Sequence, residues 1–245
     1  MARKRGFTLV ELIVVIGIIS LLISILLPTL SGARKRANEI KCLANIRSLL
    51  QSVLIYSNDN RGNLPCGSNN LLLYPGQPPF LPINSTATFQ FWLGLNQETS
   101  GLGVLIENGL PVDQTLFCPT DLEADPNVEL EKLRSRSSDI AWCSYLFRQL
   151  DGQSTVKPKT QLSDLGKNNQ GQRITALIMD MQSTMEWDGL PTKRNHDGVK
   201  CCIGFVDGSA GVYPNTDNKL TLMGSTSLVE ERLNSMLEYA DSLMQ

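Results

Sequence analysis

The sequence predicts an α+β fold in which a long N-terminal helix, first transmembrane and then amphipathic, packs on a head built around a small antiparallel sheet. Residues 7–28 are almost continuously apolar, and residues 31–60 repeat apolar side chains at helical spacing. Residues 196–213 alternate in the manner of a β-hairpin. The 245 residues are enough for one globular domain and this helix.

The charge balance argues against nucleic acid as the main partner. The chain has 22 Lys and Arg against 24 Asp and Glu, a formal net charge of −2, whereas a phosphate-binding surface needs clustered cations. Six cysteines are compatible with disulfides in an oxidising compartment, but their spacing fixes no pairing. The single histidine, His196, excludes a His-rich metal site.

The apolar run is long enough to cross a membrane. Its clearly polar side chains are Thr8, Glu11, Ser20 and Ser24, and about 20 helical residues span a hydrocarbon core of roughly 30 Å. A cleaved secretory signal peptide is disfavoured, because the run is long and no A-x-A site follows it. A plain membrane anchor leaves Glu11 unexplained, since a carboxylate in the bilayer costs roughly 2.5–3.5 kcal/mol.

The stretch "RKRGFTLVELIVVI", residues 3–16, resembles the class III signal of type IV pilins and type II secretion pseudopilins. The resemblance implies a pilin-like fold. It also implies that a prepilin peptidase removes a leader of residues 1–6 by cutting after Gly6 and then methylates the new amine of Phe7. Glu11 matches the glutamate characteristic of the family's mature N-terminal segment.

Each of these positions has a physical reason. Gly6 lets the backbone approach a protease closely, and the preceding basic residues keep the leader in the cytoplasm. In a staggered helical stack, Glu11 of one subunit can neutralise the Phe7 ammonium of its neighbour, and such a pair is stronger in a low-dielectric core than in water. A single-pass subunit of this kind is expected in the inner membrane, with its head in the periplasm.

Pro28 lies inside the predicted helix, where it removes a backbone hydrogen bond. The resemblance implies a kink or local melting at this residue, and a simple helix end is the alternative. Beyond it, the amphipathic part of the helix is expected to run to residue 60, with the head at 61–224 and a long proline-rich loop over 61–90. Cys42, beside the apolar stripe, is expected to be buried or disulfide-bonded rather than reactive.

The head is predicted to contain short helices and strands, including a strand at "ALIMD", residues 176–180. The hairpin over 196–213 is expected to turn at Asp207-Gly208, a pair favoured in two-residue turns. "LFCPTD", "WCSYLF" and "RNHDGVKCCIGFVDGSAGVY" resemble a C-terminal domain of pilin-like proteins named for a histidine, nine residues and Asp-Gly. Ten residues separate His196 from Asp207 here, so either the strand carries a bulge or the histidine is displaced.

No catalytic or metal-binding residue is predicted in the head. No nucleophile motif accompanies His196, and a structural histidine is favoured. A zinc site of His196, Cys201 and Cys202 is disfavoured, because adjacent strand residues point to opposite faces. Calcium is a weaker alternative in the C-terminal loops, where the spacing of the oxygen-bearing side chains matches no known loop pattern; these are Asp207, Asn215, Asp217 and Asn218.

A C-terminal amphipathic helix is expected over 225–245. Ser227 and Glu230 form a capping box, and an apolar face follows at Val229, Leu233, Met236, Leu237, Ala240 and Leu243. This face is expected to pack on the subunit's own head rather than in a partner's groove.

The function that these features favour is structural: a subunit of a type II secretion pseudopilus or a related type IV filament, without enzymatic activity. The implied partners are a prepilin peptidase, other pilin or pseudopilin subunits, an inner-membrane assembly platform and the membrane itself. The alternative is a periplasmic binding or enzymatic domain that uses the helix only as a tether. Gly6, Phe7 and Glu11 distinguish the two, because a tether needs none of them.

Overall fold

The computed structural model describes residues 9–65, 89–95, 98–99, 101–121, 124–137, 139, 141–148, 161–163, 165–168, 170–184, 195–223 and 229–244. The chain divides into two compact units, residues 1–38 and 39–245. The division falls inside the long helix, and the predicted boundary between a helix ending at residue 60 and a head beginning at residue 61 stays a prediction.

The first unit consists, in its described part, of the N-terminal portion of helix α1, which runs from Leu9 to Asp59. By length and composition, α1 qualifies as a membrane-spanning helix. The hydroxyl groups within its apolar stretch are satisfied locally: Ser20 Oγ donates to Ile16 O at 2.7 Å, and Thr29 Oγ1 donates to Leu26 O at 2.8 Å. Such bonds reduce the cost of placing hydroxyls in an apolar medium.

Helix α1 continues through Pro28. The alternative prediction of a helix end at this residue is therefore wrong, and so is local melting in this structure. The helix is continuous on both sides of the proline although Pro28 cannot donate a backbone hydrogen bond of its own. A bend at Pro28 stays a prediction.

The second unit is built on a six-stranded antiparallel sheet with the strand order β2-β1-β3-β4-β5-β6. The long helix and this sheet make the fold α+β, as predicted. The strands are β1 (Phe89–Leu95), β2 (Glu98–Thr99), β3 (Ala141–Arg148), β4 (Ala176–Asp180), β5 (Lys200–Phe205) and β6 (Ala210–Pro214).

The described part of this unit contains three further helices, which are α2 (Gly103–Glu107), α3 (Pro126–Arg134) and α4 (Val229–Ser242). The start of α3 follows directly from its sequence, because Asp125 accepts a hydrogen bond from the Asn127 N–H at 2.9 Å and a proline occupies the first turn. A short 3₁₀ turn, Asp113–Leu116, precedes the "LFCPTD" segment.

The two faces of the sheet bury separate apolar clusters. One cluster joins the buried side of α1, including Ile46 and Leu49, to Phe147 and Cys202 of the sheet. The other joins Leu146 and Cys201 to the apolar face of α4, whose buried members are Leu233, Met236, Leu237 and Ala240. Neighbouring strand residues thus serve opposite faces, as the pleat requires, and α4 packs on its own head. The predicted cap residue Ser227 lies outside the described residues.

The closest approach of α1 to the sheet is at Gly204 in β5. A Cβ atom there would lie 2.6 Å from Ile46 Cγ2 and 2.7 Å from Leu50 Cδ1. Because glycine has no side chain, the helix packs directly against the strand backbone.

The β5–β6 hairpin turns differently from the predicted two-residue Asp-Gly type. Gly208 N–H donates to Phe205 O at 3.0 Å, and Phe205 N–H donates to Ser209 O at 2.8 Å. Gly208 has φ +86°, whereas Asp207 is not in the left-handed region. The loop is therefore the three-residue form, a tight turn followed by a left-handed glycine.

Candidate functional site: the exposed helix and the His196 cluster

The first candidate site is the apolar surface of α1. Every large apolar side chain from Leu9 to Leu30 is exposed, with exposed fractions between 45 and 73%. This surface surrounds the whole helix, so it cannot be explained as one buried stripe of an amphipathic helix. Contiguous exposed apolar surface of this size indicates contact with a membrane or with other proteins.

Glu11 lies on this apolar surface, near the beginning of the described part of α1, and is itself exposed. A carboxylate in this setting is costly in lipid and is usually functional. Gly6 and Phe7 lie outside the described residues, so cleavage and methylation stay predictions.

The second candidate site is a cluster of four buried side chains, Cys42, Cys118, Asp180 and His196, which we call the His196 cluster. Their potential ligand atoms all lie within 4.8 Å of one another. Each residue comes from a different element: Cys42 from α1, Cys118 from the loop after the 3₁₀ turn, Asp180 from the end of β4 and His196 from the turn before β5.

One hydrogen bond joins α1 to the loop that carries Cys118, and a second one fixes Asp180 in the sheet. Asn45 Nδ2, one turn beyond Cys42 on α1, donates to Phe117 O at 2.9 Å, next to Cys118. Asp180 is fixed from the other side, because its Oδ2 accepts the Cys202 N–H at 2.9 Å. All four members of the cluster are at most 7% exposed.

The contacts within the cluster converge on one ring nitrogen. His196 Nε2 lies 3.3 Å from Asp180 Oδ2, 3.5 Å from Cys118 Sγ and 3.8 Å from Cys202 Sγ. Cys42 Sγ donates to the other carboxylate oxygen, Asp180 Oδ1, at 3.0 Å.

The backbone around His196 adopts a rare conformation. His196 and Asp197 have φ of 53° and 57°, and Gly198 has φ 72°. Left-handed conformations in non-glycine residues cost about 1–3 kcal/mol and persist only when their surroundings hold them. Thr120 Oγ1 supplies one such constraint by accepting the His196 N–H at 3.0 Å, and Asn195 Nδ2 supplies another by donating to Ser144 O at 3.2 Å.

The cluster shifts the acidity of its members in opposite directions. Burial by itself lowers the pKa of His196, but hydrogen bonds to Asp180, Cys118 and Cys202, together with the Asp180 charge, outweigh it and raise that pKa to about 12. The neighbouring Cys42 thiol and His196 lower the pKa of Cys118 to about 6 against the effect of burial. Burial raises the pKa of Cys42 far above its usual range.

Only part of this arrangement was predictable from the sequence. Cys42 is buried, as expected, and Cys201 and Cys202 do point to opposite faces, so the rejected zinc set is indeed unsuitable. The approach of Cys118 and Asp180 to His196 was missed, because no local spacing links residues that lie so far apart in the chain. The five cysteines in the described part of the chain are not joined by disulfide bonds.

Asp207 and Gly208 do not belong to this cluster. They form the turn after β5, whereas His196 precedes that strand. The β5–β6 pairing has no register shift, so a bulge between these strands does not account for the tenth residue between His196 and Asp207. The irregular backbone lies instead at His196 itself.

Asp207 is not brought to the other oxygen ligands considered for calcium. Asp207 precedes β6 and Asn215 follows it, at opposite ends of the strand. Asn215 is buried and occupied, since its Nδ2 donates to Thr221 Oγ1 at 2.7 Å and its Oδ1 accepts the Leu220 N–H at 2.9 Å. Asp207 and Asn215 therefore do not contribute to one calcium site, and calcium binding in the loop after β6 stays an untested alternative.

Comparison with known proteins places the N-terminal segment in a defined group. Residues 1–27 match the family described as "Prokaryotic N-terminal methylation motif". The chain is 42% identical over 60 residues to the "Type IV wide pilus major component PilA4" of Thermus thermophilus. The matched stretch covers 24% of this chain and 46% of that protein. No solved structure shows significant similarity to the chain.

Two further relatives are named "Type II secretion system core protein G". The one from Pectobacterium carotovorum is 41% identical over 58 residues, or 24% of this chain and 37% of that protein. The one from Escherichia coli K12 is 36% identical over 80 residues, or 31% of this chain and 54% of that protein. The chain thus spans about half or less of the length of the relatives it matches.

Proposed function

We propose that this chain is a structural subunit of a type II secretion pseudopilus or a related type IV filament. The observation that carries the proposal is the part of α1 from Leu9 to Leu30, whose large apolar side chains are all exposed and which contains one carboxylate, Glu11. Such a surface suits a helix that lies first in the membrane and then in a bundle with identical helices. The match of residues 1–27 to the methylation motif supports this reading.

In the proposed filament, Glu11 neutralises the N-terminal ammonium of a neighbouring subunit. Cleavage after Gly6 would create that ammonium on Phe7, four residues before the carboxylate. Two opposite charges attract strongly once apolar helices exclude water, whereas either one alone is costly there. The pair would therefore favour assembly and set the stagger between adjacent helices.

The partners and the location of the protein follow from this proposed function. A prepilin peptidase processes the leader, an inner-membrane assembly platform extracts the helix from the bilayer, and copies of this or similar subunits surround it. The head lies in the periplasm before assembly, because the basic residues at 3–5 stay in the cytoplasm. The role is structural and requires no catalytic residue.

The mature N-terminus tests this proposal. Mass spectrometry of the N-terminal peptide from membrane-extracted protein should find N-methylated Phe7 as the first residue. A Gly6→Leu variant should keep its leader, because the added side chain obstructs close approach of the protease. Gly32→Ala, a glycine substitution in α1 beyond the motif of residues 1–27, should be processed normally. An intact Met1 in the unsubstituted protein, or cleavage beyond Pro28, would contradict the proposal.

A further inference from the structure

We propose that the His196 cluster is a structural zinc site in which Cys42, Cys118, His196 and Asp180 are the four ligands. Two sulfurs, one imidazole nitrogen and one carboxylate oxygen form a donor set that suits Zn²⁺. The site lies within the head and is separate from the exposed part of α1, so it does not depend on the proposed filament function.

All the ligand atoms lie within 4.8 Å of one another, and two of their spacings already fit a tetrahedral ion. With zinc–ligand bonds of about 2.0–2.3 Å, tetrahedral geometry places the ligand atoms about 3.3–3.8 Å apart. The Nε2–Oδ2 distance of 3.3 Å and the Nε2–Sγ distance to Cys118 of 3.5 Å fall in this range. Cys42 Sγ lies 3.0 Å from the other carboxylate oxygen, Asp180 Oδ1, and this contact would widen by a few tenths of an ångström as the thiol proton leaves and Oδ2 binds the ion.

Hydrogen bonding alone does not account for the convergence on His196. Nε2 carries one proton or one lone pair, yet it faces Asp180 Oδ2, Cys118 Sγ and Cys202 Sγ at 3.3–3.8 Å. A single proton serves one of these acceptors well, and a charge-assisted bond to a carboxylate would be shorter, about 2.7–2.9 Å. An ion between the ligand atoms satisfies several of them at once.

The charge and the complete burial of Asp180 also favour a bound metal ion. Asp180 is completely buried on the sheet face that also carries Tyr145 and Ile178, within an apolar cluster, and buried charges are paired or coordinate metals. Binding of Zn²⁺ would release the thiol protons of Cys42 and Cys118. The Zn²⁺ ion together with two thiolates, one carboxylate and a neutral imidazole then has a net charge of −1.

Outer contacts orient the ligands as they do in known metal sites. The Cys202 N–H donates to Asp180 Oδ2, while Thr120 Oγ1 lies 3.1 Å from Cys118 Sγ and accepts the His196 N–H. Tyr145 Oη lies 3.4 Å from Cys42 Sγ. The strained His196 turn is thereby held with its ring directed into the cluster.

A zinc ion here would fasten the helix to the sheet. Its ligands come from α1, the loop after the 3₁₀ turn, the end of β4 and the turn before β5, so one ion would connect four elements. Four protein ligands and exposed fractions of at most 7% leave no open position for a substrate, which is the arrangement of structural rather than catalytic zinc.

The test measures zinc in the full-length chain, extracted from membranes in mild detergent with a phosphine reductant and without chelator. Plasma mass spectrometry should find roughly one zinc ion per chain. Cys118→Ala and Cys42→Ala should lower the zinc content to background. Cys201→Ala is the matched control, because Cys201 is equally buried but faces the opposite cluster, and it should retain the ion.

A second measurement uses the unsubstituted protein, so it tests the site even if the cysteine variants fail to fold. After zinc is removed and Co²⁺ is added, the absorption spectrum should show thiolate-to-cobalt charge transfer and the intense visible bands of tetrahedral Co²⁺. Purified protein without zinc that also gives no such spectrum would overturn the proposal. So would a Cys42–Cys118 disulfide in unsubstituted protein that is extracted without reductant and with its free thiols alkylated, or zinc loss in Cys201→Ala equal to that in Cys118→Ala.

Discussion

Asp241 in the last turn of α4 and Arg148 at the end of β3 form a buried ion pair. Arg148 Nη1 lies 2.9 Å from both carboxylate oxygens, and the two side chains are 4% and 0% exposed. Asp241 also accepts the N–H groups of Thr175 and Ala176 at 2.9 and 3.0 Å. One carboxylate thus joins the C-terminal helix to the start of β4 and the end of β3.

The first prediction concerns this pair. Asp241→Asn should lower the free energy of unfolding of the head by about 3–5 kcal/mol, because Arg148 is left as a buried charge without compensation. Thermal or denaturant unfolding of the detergent-solubilised chain measures the loss. Asp217→Asn, which breaks the exposed pair with Lys219, should cause no measurable change. Equal effects of the two substitutions would show that Asp241 is not structurally important.

The second prediction concerns the contact between α1 and β5. Gly204→Ala should destabilise the head by about 1–3 kcal/mol, because the new methyl group meets Ile46 and Leu50 at distances that require both to move. Gly32→Ala is the matched control, since a Cβ atom there meets nothing within 4 Å. Unfolding curves of both variants measure the difference, and an unchanged Gly204→Ala protein would mean that the helix does not pack this closely.

The third prediction separates a filament subunit from a tethered domain. Glu11→Leu should insert into the membrane at least as well as the unsubstituted chain, because a carboxylate is removed from the apolar segment. Assembly should fail, since the Phe7 ammonium of each neighbour loses its partner. Recovery of the variant in sheared filaments, compared with its level in membranes, is the measurement.

Ser20→Ala is the control for this experiment. It removes a polar group from the same helix, but that hydroxyl bonds only to the Ile16 carbonyl of its own chain among the contacts described, so assembly should continue. Normal incorporation of the Glu11→Leu protein would show that the carboxylate does not serve assembly and would favour the tethered domain.

The fourth prediction follows from the proposed zinc site. A chelator should lower the unfolding temperature of the head, and added Zn²⁺ should restore it, because the ion binds only the folded cluster. A loss of about 2.7 kcal/mol, the linkage expected at a free zinc concentration of about 100 Kd, corresponds to roughly 5–10 °C for a domain of this size. Cys118→Ala should not respond to the chelator, while Cys201→Ala should respond like the unsubstituted chain.

Features set by neighbouring residues were predictable. Helix α1, Leu9–Asp59, falls within the predicted 7–60, because its apolar run and later apolar stripe both have helical periodicity. The strand predicted at 176–180 is β4, Ala176–Asp180, a short run of apolar residues that ends at an aspartate. That the N-terminal part of α1 is long and apolar enough to cross a membrane could be predicted from length and composition.

The turn of the β5–β6 hairpin was placed correctly but not its type. Asp207 and Gly208 do lie in the turn, yet the antiparallel register, with Gly204 opposite Ala210, requires a longer loop in which the tight turn lies one residue earlier. The register is decided by which strand faces meet α1 and α4, and the residues of the turn adapt to it.

The His196 cluster was decided by the tertiary structure alone. Cys42 and Asp180 are 138 residues apart, and Cys118 and His196 are 78 apart, so no periodicity or spacing relates them. Sequence patterns show the period with which side chains repeat on one face of a helix or strand, and this period is a local property. Which side chains meet across elements depends on strand order and on how α1 lies over the sheet, and those are fixed by the packing of the whole head.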